Sequence, residues 1–358
     1  MASTGLDFTN ITPTNGAVQE LKALIFENVL SADKLGAILN VLPKQKHGSK
    51  IGFIGEFGLI GKKGQGCNPK YNQSIISSSE KTWDIQPWSV DESICYEDLE
   101  GTIAQLALRK KTQIADLTGT EYLGDIVMPR LELAILKMFL RFAWFGDKAA
   151  ETVDNGGVLK TGVDKDFFNV TDGLWKRIFA IVAADASRRI TIDANTKATI
   201  SEQKSALWSN GVATGILDKL ISDAPLLLRQ SEGQTIYITQ TIKDALDVDI
   251  KRNNKGSELQ WQSIFAGIKQ SEYNGIPLVV IPFWDEMIQG YEGTEAKWNN
   301  PHRAIYTVKD NLLVGLESES ELAEIDVWFE KKDQMNYIIA KDKLGTETAQ
   351  DNLIQVAY

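Results

Sequence analysis

The feature that most constrains the fold is the stretch from residue 118 to residue 145, TGTEYLGDIVMPRLELAILKMFLRFAWF. Its pattern predicts one long helix of roughly 25 residues, about 37 Å long at about 1.5 Å per residue. Thr118 and Glu121 have the spacing of a capping box, in which each side chain satisfies a backbone N–H at the start of the helix. Gly146 and Asp147 follow as a stop signal.

After Pro129 the predicted helix is apolar over most of its circumference. Arg130, Lys137 and Arg141 fall within about 40° of one another on a helical wheel, so they form one basic stripe. We expect packing on several sides and a kink at Pro129, because proline removes a backbone donor. The alternative is an ordinary buried helix of a large domain.

A long β-hairpin is predicted before this helix. Residues 50–61 are β-formers punctuated by glycine, residues 62–72 are turn material, and residues 79–95 return as a second extended segment. Residues 44–70 contain six lysines and one acid, a net charge of +5, whereas the whole chain carries −10 and the remainder therefore −15. Such a limb fits docking on a neighbouring acidic surface. The alternative is an exposed loop with solvated lysines.

Beyond the long helix, the pattern predicts further helices after residue 171 and over 201–222, and then a compact α/β unit of roughly 110 residues. Strands are expected at 235–240, 276–283 and 303–308, with short helices at 241–250 and 284–290. The pattern of the C-terminal residues predicts antiparallel strands at 325–330 and 335–340 and a closing segment at 351–358. We expect these strands to pack against the long helix.

Composition restricts the function. A net charge of −10 over 358 residues argues against a protein whose main surface grips nucleic acid. Cys67 and Cys95 give no disulfide framework, and we find no signal peptide and no membrane span, so an intracellular site of synthesis is expected.

No catalytic, metal-binding or cofactor-binding motif is present in the sequence. Gly61 and Lys62 fail the phosphate-loop pattern because Lys63 stands where Ser or Thr is needed. His47 and His302 are the only histidines, and neither belongs to a metal-ligand pattern. We therefore expect no cofactor and no metal, and nothing in the residues requires an enzyme.

The order of elements resembles the major capsid proteins of tailed bacteriophages with the Hong Kong 97-type fold. Local similarity is greatest to capsid proteins of phages that infect Bacteroidetes, including crAss-like phages. The stretches that carry the resemblance are GFIGEFGLIGKKGQGCNP (52–69), SEKTW (79–83), FAWFGD (142–147), GLWKRIFAIVAAD (173–185), IPFWDE (281–286), NPHRAIYTVKDNLLVG (300–315) and LIQVAY (353–358).

The resemblance implies an α+β fold with five parts. Residues 1–45 would be an N-terminal arm and helix, and 46–92 the extended hairpin known as the E-loop. Residues 93–200 would form a peripheral domain with the spine helix 118–145, residues 201–317 an axial domain, and 318–358 the return strands of the peripheral domain. Inter-subunit contacts would involve the hairpin residues Gly61, Lys62, Lys63, Gly64, Gly66, Trp83 and Trp88.

The leading hypothesis is a structural major capsid protein that self-assembles into hexamers and pentamers of an icosahedral phage head enclosing double-stranded DNA. Its partners would be further copies of itself, portal, head-auxiliary or scaffolding proteins, and DNA bound without sequence specificity. It would be a virion component assembled in the host cytoplasm, without a membrane partner. The alternatives are an encapsulin-like bacterial compartment shell protein and a cytoplasmic α/β enzyme.

Overall fold

The computed structural model describes residues 35–57, 76–95, 128–150, 158–253, 259–265, 267–317, 324–330, 332 and 335–358. The α-helices in these ranges are α1 (Leu35–Ile38), α2 (Met128–Phe145), α3 (Leu174–Ala184), α4 (Ile200–Leu207), α5 (Val212–Ser222), α6 (Leu226–Gln230), α7 (Gln240–Asn253) and α8 (Pro282–Tyr291). The strands are β1 (Asn40–Leu42), β2 (Lys50–Phe57), β3 (Ile76–Thr82), β4 (Gln86–Cys95), β5 (Arg189–Ile190), β6 (Gln234–Ile238), β7 (Gln262–Phe265), β8 (Ile268–Tyr273), β9 (Ile276–Val280), β10 (Ala304–Val308), β11 (Leu312–Leu316), β12 (Glu324–Glu330), β13 (Met335–Thr348) and β14 (Ile354–Ala357).

Helix α2 is the described part of the predicted long helix. It ends at Phe145, immediately before the predicted stop at Gly146, and this boundary is confirmed. The predicted cap at Thr118 and Glu121 lies outside the described residues. Pro129 lies in the first described turn, and the predicted kink stays a prediction. From Ile135 to Phe145 most side chains of α2 are buried, as the predicted packing on several sides requires.

The first sheet has five strands and is organised around β13. Strands β4, β11 and β12 all pair antiparallel with β13, and β1 pairs parallel with β11. The predicted hairpin of the tail is confirmed as β12 and β13. The prediction that residues 79–95 form one extended segment is wrong. These residues belong to two strands in different sheets: β3 pairs with β2, and β4 pairs with β13.

The second sheet has seven strands in the order β5-β14-β10-β6-β9-β8-β7. The predicted strands of the α/β unit are present as β6, β9 and β10, and the helices as α7 and α8. Strand β9 ends at Val280, earlier than predicted, because Pro282 begins α8, where a missing N–H has no cost. The predicted helix 201–222 is two helices, α4 and α5, separated at Gly211, whose φ is 78°.

The closing strand β14 does not join the other tail strands. It pairs with β10 and β5 in the seven-stranded sheet. Strand β11, from the predicted axial segment 201–317, lies instead in the five-stranded sheet. Sheet membership therefore does not coincide with the predicted domain boundaries at 200 and 317. The whole fold decides which strands pair with each other. The order of segments in the sequence therefore could not reveal that β11 and β14 lie in sheets other than those predicted.

Helices cover both faces of the seven-stranded sheet. Along β6, Ile236 and Ile238 face a core shared with α5 and α7, and Tyr237 faces a second core shared with α2, α3 and α8. This alternation is what a strand with two covered faces produces. Trp144 of α2 lies in the second core, with its ring centroid 4.7 Å from that of Trp284. Through this core, α2 connects the two larger sheets.

Candidate functional site

The base of the predicted hairpin forms a two-stranded sheet of its own. Its register runs from Lys50 opposite Thr82 to Phe57 opposite Ile76, with one irregularity on the way. Lys50 also forms an exposed ion pair of 2.9 Å with Glu80 on the opposite strand. The predicted pairing of the two segments is therefore confirmed at this end. The predicted contact residues that lie outside the described residues are Gly61, Lys62, Lys63, Gly64 and Gly66.

Residues 83–85 connect β3 to β4, and we call them the foot of the hairpin. Trp83 and Ile85 are buried against the five-stranded sheet, over Gly315 and Gly345, which are register partners in β11 and β13. A Cβ atom on Gly345 would lie 2.5 Å from the backbone oxygen of Asp84, and one on Gly315 would lie 2.9 Å from the Trp83 ring. The foot therefore lies directly on the backbone of these two glycines, which we call the glycine patch, and Leu313 and Ala349 complete the apolar cluster around it.

The structure places the two tryptophans of the predicted contact surface inside the chain. Trp83 is 1% exposed and Trp88 is 4% exposed. Trp88 packs edge-on against Phe139 of α2, with ring centroids 5.4 Å apart. Their predicted contact with a neighbouring subunit stays a prediction, and little of either ring is left on the surface to make it. What the structure assigns to them is internal packing of the hairpin's base.

Lys81 of β3 connects the hairpin to the body by charge. Its Nζ donates hydrogen bonds to Thr348 Oγ1 at 2.7 Å and to Asp351 Oδ1 at 2.5 Å, and lies 3.5 Å from a carboxylate oxygen of Glu347. Arg177 of α3 holds the other oxygen of Glu347 at 2.7 Å. One buried carboxylate is therefore shared between a cation of the hairpin and a cation of the body.

A second ionic contact lies at the foot itself. Asp84 forms an ion pair with Lys148, accepts a hydrogen bond from Gln86 Nε2 at 2.6 Å, and lies 3.5 Å from His47 Nδ1. Although burial acts to raise the pKa of Asp84, the hydrogen bonds from Lys148 and Gln86 lower it overall. The backbone N–H of Lys148 donates to Asp172 at 2.9 Å, which fixes Lys148 just beyond the end of α2.

The three residues of the predicted basic stripe have different surroundings. Arg130 is exposed. Lys137 forms an ion pair of 2.6 Å with Glu286 of α8. Arg141 donates from Nε to the carbonyl oxygen of Phe167 at 2.9 Å, and its guanidinium lies 5.2–5.8 Å from the centroids of three aromatic rings. Two of the three cations are therefore engaged within the chain.

A groove of about 640 Å³ runs between β4 and α2. Its apolar lining includes Ile135, Met138 and Phe142, all from α2. Asp91 and Glu92 also line it, and both are exposed. The groove is therefore an apolar depression beside an acidic strand edge.

In the α/β unit, the carboxyl end of β6 is closed by the chain itself. Asp285 of α8 accepts hydrogen bonds from the backbone N–H groups of Gln240 at 2.6 Å and Thr241 at 3.2 Å, at the start of α7. Burial raises the pKa of Asp285 to about 6, against the lowering effect of these N–H groups. An α/β enzyme commonly binds an anionic ligand at such a helix start. Here a side chain of the fold occupies it.

His302 is buried beside this helix start. Its Nε2 lies 3.2 Å from the carbonyl oxygen of Gln203, so Nε2 carries the proton and Nδ1 accepts from the Thr241 hydroxyl at 2.9 Å. Burial lowers the pKa of His302 to about 4, although the bond to Gln203 acts to raise it. The arrangement is that of a neutral histidine satisfied within the core.

Sequence reasoning missed two features that hold the fold together. Arg303 is 0% exposed and forms an ion pair with Glu292, and its guanidinium lies 5.0 Å from the Trp175 ring centroid. Nothing local in the sequence indicates this pair. Gly315 and Gly345 lie inside strands, and an isolated glycine in a strand pattern is a signal of close backbone approach that could have been used.

Within the described ranges, no three His, Cys, Asp or Glu side chains are grouped so as to hold a metal ion. None of the helices described is long and apolar enough to cross a membrane. No protein-family model matches the sequence, and no curated protein matches it.

Solved structures do resemble the fold. One is a chain from the structure of the satellite phage P4 procapsid including size determination (Sid) protein, with a TM-score of 0.52 and 12% identity, covering 95% of this chain and 98% of that one. At this identity the likeness establishes the fold alone, and it confirms the α+β class. A chain from Gordonia phage Cozz (TM-score 0.49, 12% identity, 90% of this chain and 84% of that one) and one from a virus-like particle of Pyrococcus furiosus (0.39, 9%, 95% and 98%) score too low to carry an argument.

Proposed function

We propose that this chain is the major capsid protein of a tailed bacteriophage, with the Hong Kong 97-type fold. Copies of it would assemble into hexamers and pentamers of an icosahedral head that encloses double-stranded DNA. The observation that carries the proposal is the fold likeness to a chain of the P4 procapsid structure, which extends over nearly the full length of both chains.

The geometry of the hairpin supports the proposal. Strands β2 and β3 form a separate two-stranded sheet, and two-stranded sheets are marginally stable in water unless another surface supports them. The segment 44–70 carries +5, whereas Asp91 and Glu92 give the groove along β4 an acidic edge. We infer that the basic hairpin of one copy docks on the acidic groove of the next, the heterologous contact that closes a ring.

In this proposal the five parts keep their predicted functions. Residues 1–45 would lie along the shell, 46–92 would contain the docking limb, 93–200 and 318–358 would form the peripheral domain, and 201–317 the axial domain. The predicted partners are portal, head-auxiliary or scaffolding proteins and packaged DNA bound without sequence specificity. The protein would assemble in the host cytoplasm and remain in the virion.

The first experiment is size-exclusion chromatography with light scattering on the chain expressed alone, followed by electron microscopy of the heaviest fraction. Megadalton shells, or rings of five or six copies, are the expected result. A chain that remains a monomer even with the structural proteins encoded beside it would contradict the proposal. Particles that hold an enzyme and no DNA would favour the encapsulin-like compartment.

The second experiment tests the docking contact by charge exchange. Lys62→Glu with Lys63→Glu should block assembly, because like charges would then meet across the interface. Adding Asp91→Lys and Glu92→Lys should restore it. The matched control is Lys197→Glu with Lys219→Glu, which changes the net charge equally at exposed positions outside the hairpin and the groove. Unchanged assembly of the hairpin variant would remove the docking contact from the proposal.

A further inference from the structure

Besides a backbone hydrogen bond of 2.8 Å from the N–H of Gln45 to the carbonyl oxygen of Leu316, two kinds of side-chain contact join the hairpin to the body, and they differ in how much movement they permit. The apolar kind is the burial of Trp83 and Ile85 over the glycine patch of β11 and β13. Such contact depends on buried area and has little directional preference. Directly beneath the foot, Gly315 and Gly345 present no side chain, while Leu313 and Ala349 complete the apolar cluster around Trp83 and Ile85. The apolar contact holds the foot in place but is compatible with rotation about it.

The ionic contacts restrain the angle of the hairpin relative to the body. Lys81 reaches Glu347 and Asp351 of the body. Asp84 reaches Lys148, which is itself held by Asp172 just before α3. Charge-assisted hydrogen bonds require defined distances and angles, so contacts from two different residues of the hairpin restrain its angle more than the apolar contact alone does.

The two ionic contacts also differ in their access to water. Lys81 and Glu347 have side chains that are mostly buried, and Asp351, the other acidic partner of Lys81, is about half exposed. Asp84 and Lys148 are each about a third exposed. Exposed ion pairs contribute little and are screened by salt, whereas buried pairs are screened much less.

We propose that these contacts form an ionic clamp that sets the angle of the hairpin, with Trp83 and Ile85 as its pivot. The Asp84–Lys148 half opens in salt, and the Lys81–Glu347 half keeps the hairpin attached. Because Lys148 follows directly after α2, the clamp couples the hairpin's angle to the end of the long helix. The inference concerns the single chain and does not depend on the proposed capsid function.

The test is a distance measurement by pulsed electron paramagnetic resonance. One spin label is placed through Gly52→Cys on β2, where an added Cβ meets no atom within 4 Å, and the other through Lys219→Cys on α5, which is exposed. Cys67 and Cys95 are replaced by serine, and labelled chain is diluted with unlabelled chain so that only distances within one molecule are recorded. Spectra are taken at about 0.01 M and about 1 M NaCl, between which the Debye length falls from about 30 Å to about 3 Å.

The wild-type distribution should be narrow at low salt and broader at high salt. The Asp84→Asn variant should give a broad distance distribution at both salt concentrations. The double variant, Lys81→Met with Asp84→Asn, should give a broader one still. The control, Lys50→Met, removes the exposed Lys50–Glu80 pair inside the hairpin and should behave as wild type.

The clamp is disproved if the double variant keeps the narrow wild-type distribution at low salt. It is equally disproved if Lys50→Met broadens the distribution as much, since the effect would then not come from the foot. Circular dichroism checks that the variants fold. If the double variant does not fold, the test rests on the wild-type salt series and on Asp84→Asn. A wild-type distance distribution that does not respond to salt would disprove the opening of the Asp84–Lys148 contact.

Discussion

The seven-stranded sheet and the foot of the hairpin both rely on charged residues, but they expose them to water differently. Arg303, directly before strand β10 of the sheet, is fully buried with Glu292 and aromatic rings, whereas Asp84 of the foot and its partner Lys148 remain partly exposed. Removing one partner of a buried pair leaves the other charge without solvent, whereas removing one partner of a partly exposed pair leaves a charge that water can solvate. The sheet is therefore expected to be rigid, and the foot to respond to solvent conditions.

The largest expected effect is on the buried pair. Glu292→Gln should lower the free energy of unfolding by about 3–5 kcal/mol, because Arg303 loses its counter-charge inside the core. Chemical denaturation followed by circular dichroism measures it. Glu80→Gln, which breaks the exposed pair with Lys50, is the control and should change stability by less than about 1 kcal/mol. If Glu292→Gln and Glu80→Gln lowered the free energy of unfolding equally, the buried pair would not differ from an exposed pair of the hairpin.

The second prediction concerns the pH dependence of the sheet's interior. The folded-state pKa of Asp285 is raised from 3.8 to about 6, so folding favours its protonated form. The contribution of Asp285 to stability should fall by about 3 kcal/mol as pH rises from about 4 to about 6, and Asp285→Asn should abolish this fall.

His302 should act in the opposite direction. Its pKa is lowered from 6.5 to about 4, so its contribution is lost as pH falls from about 6.5 to about 4. Comparing His302→Gln and Asp285→Asn with wild type by denaturation across pH 4–7 separates the two groups. Difference curves of the same sign would show that one of these assignments is incorrect.

The third prediction concerns the glycine patch under the foot. Gly345→Ala would place a methyl group against the backbone of Asp84, which cannot move as a flexible side chain would. The expected loss is about 1–3 kcal/mol, with faster hydrogen exchange in residues 43–49 and 83–85. Gly52→Ala is the control, since no atom lies within 4 Å of the added carbon. A Gly345→Ala protein as stable as wild type would mean that the foot does not need the patch.

The smallest effect is expected at the surface pair between α2 and α8. Lys137 and Glu286 lie 2.6 Å apart with both side chains about half exposed. A double-mutant cycle with Lys137→Gln and Glu286→Gln should give a coupling of about 0.2–1 kcal/mol that disappears at high salt. A coupling above that range that persists in salt would place this pair with the buried contacts of the sheet.

Parts of the fold and of the candidate site were predictable because their signals are local. The end of α2 follows from Gly146, and the pairing of β2 with β3 follows from two extended segments on either side of turn material. The contacts of the foot were not predictable in this way. Lys81 and Glu347 are separated by most of the chain, and no pattern near either residue indicates the other.

The sequence by itself determined the type of many elements and some of their ends, such as the end of α2 at Phe145, since hydrophobic period, prolines and glycines act within a few residues. Only the tertiary structure decided which strands share a sheet, that β4 leaves the hairpin and that β14 joins β10. It also decided that Gly315 would lie opposite Gly345 and that Arg303 would reach Glu292. Those choices minimise the free energy of the whole chain, because each backbone edge and buried charge must find a partner that is distant in sequence.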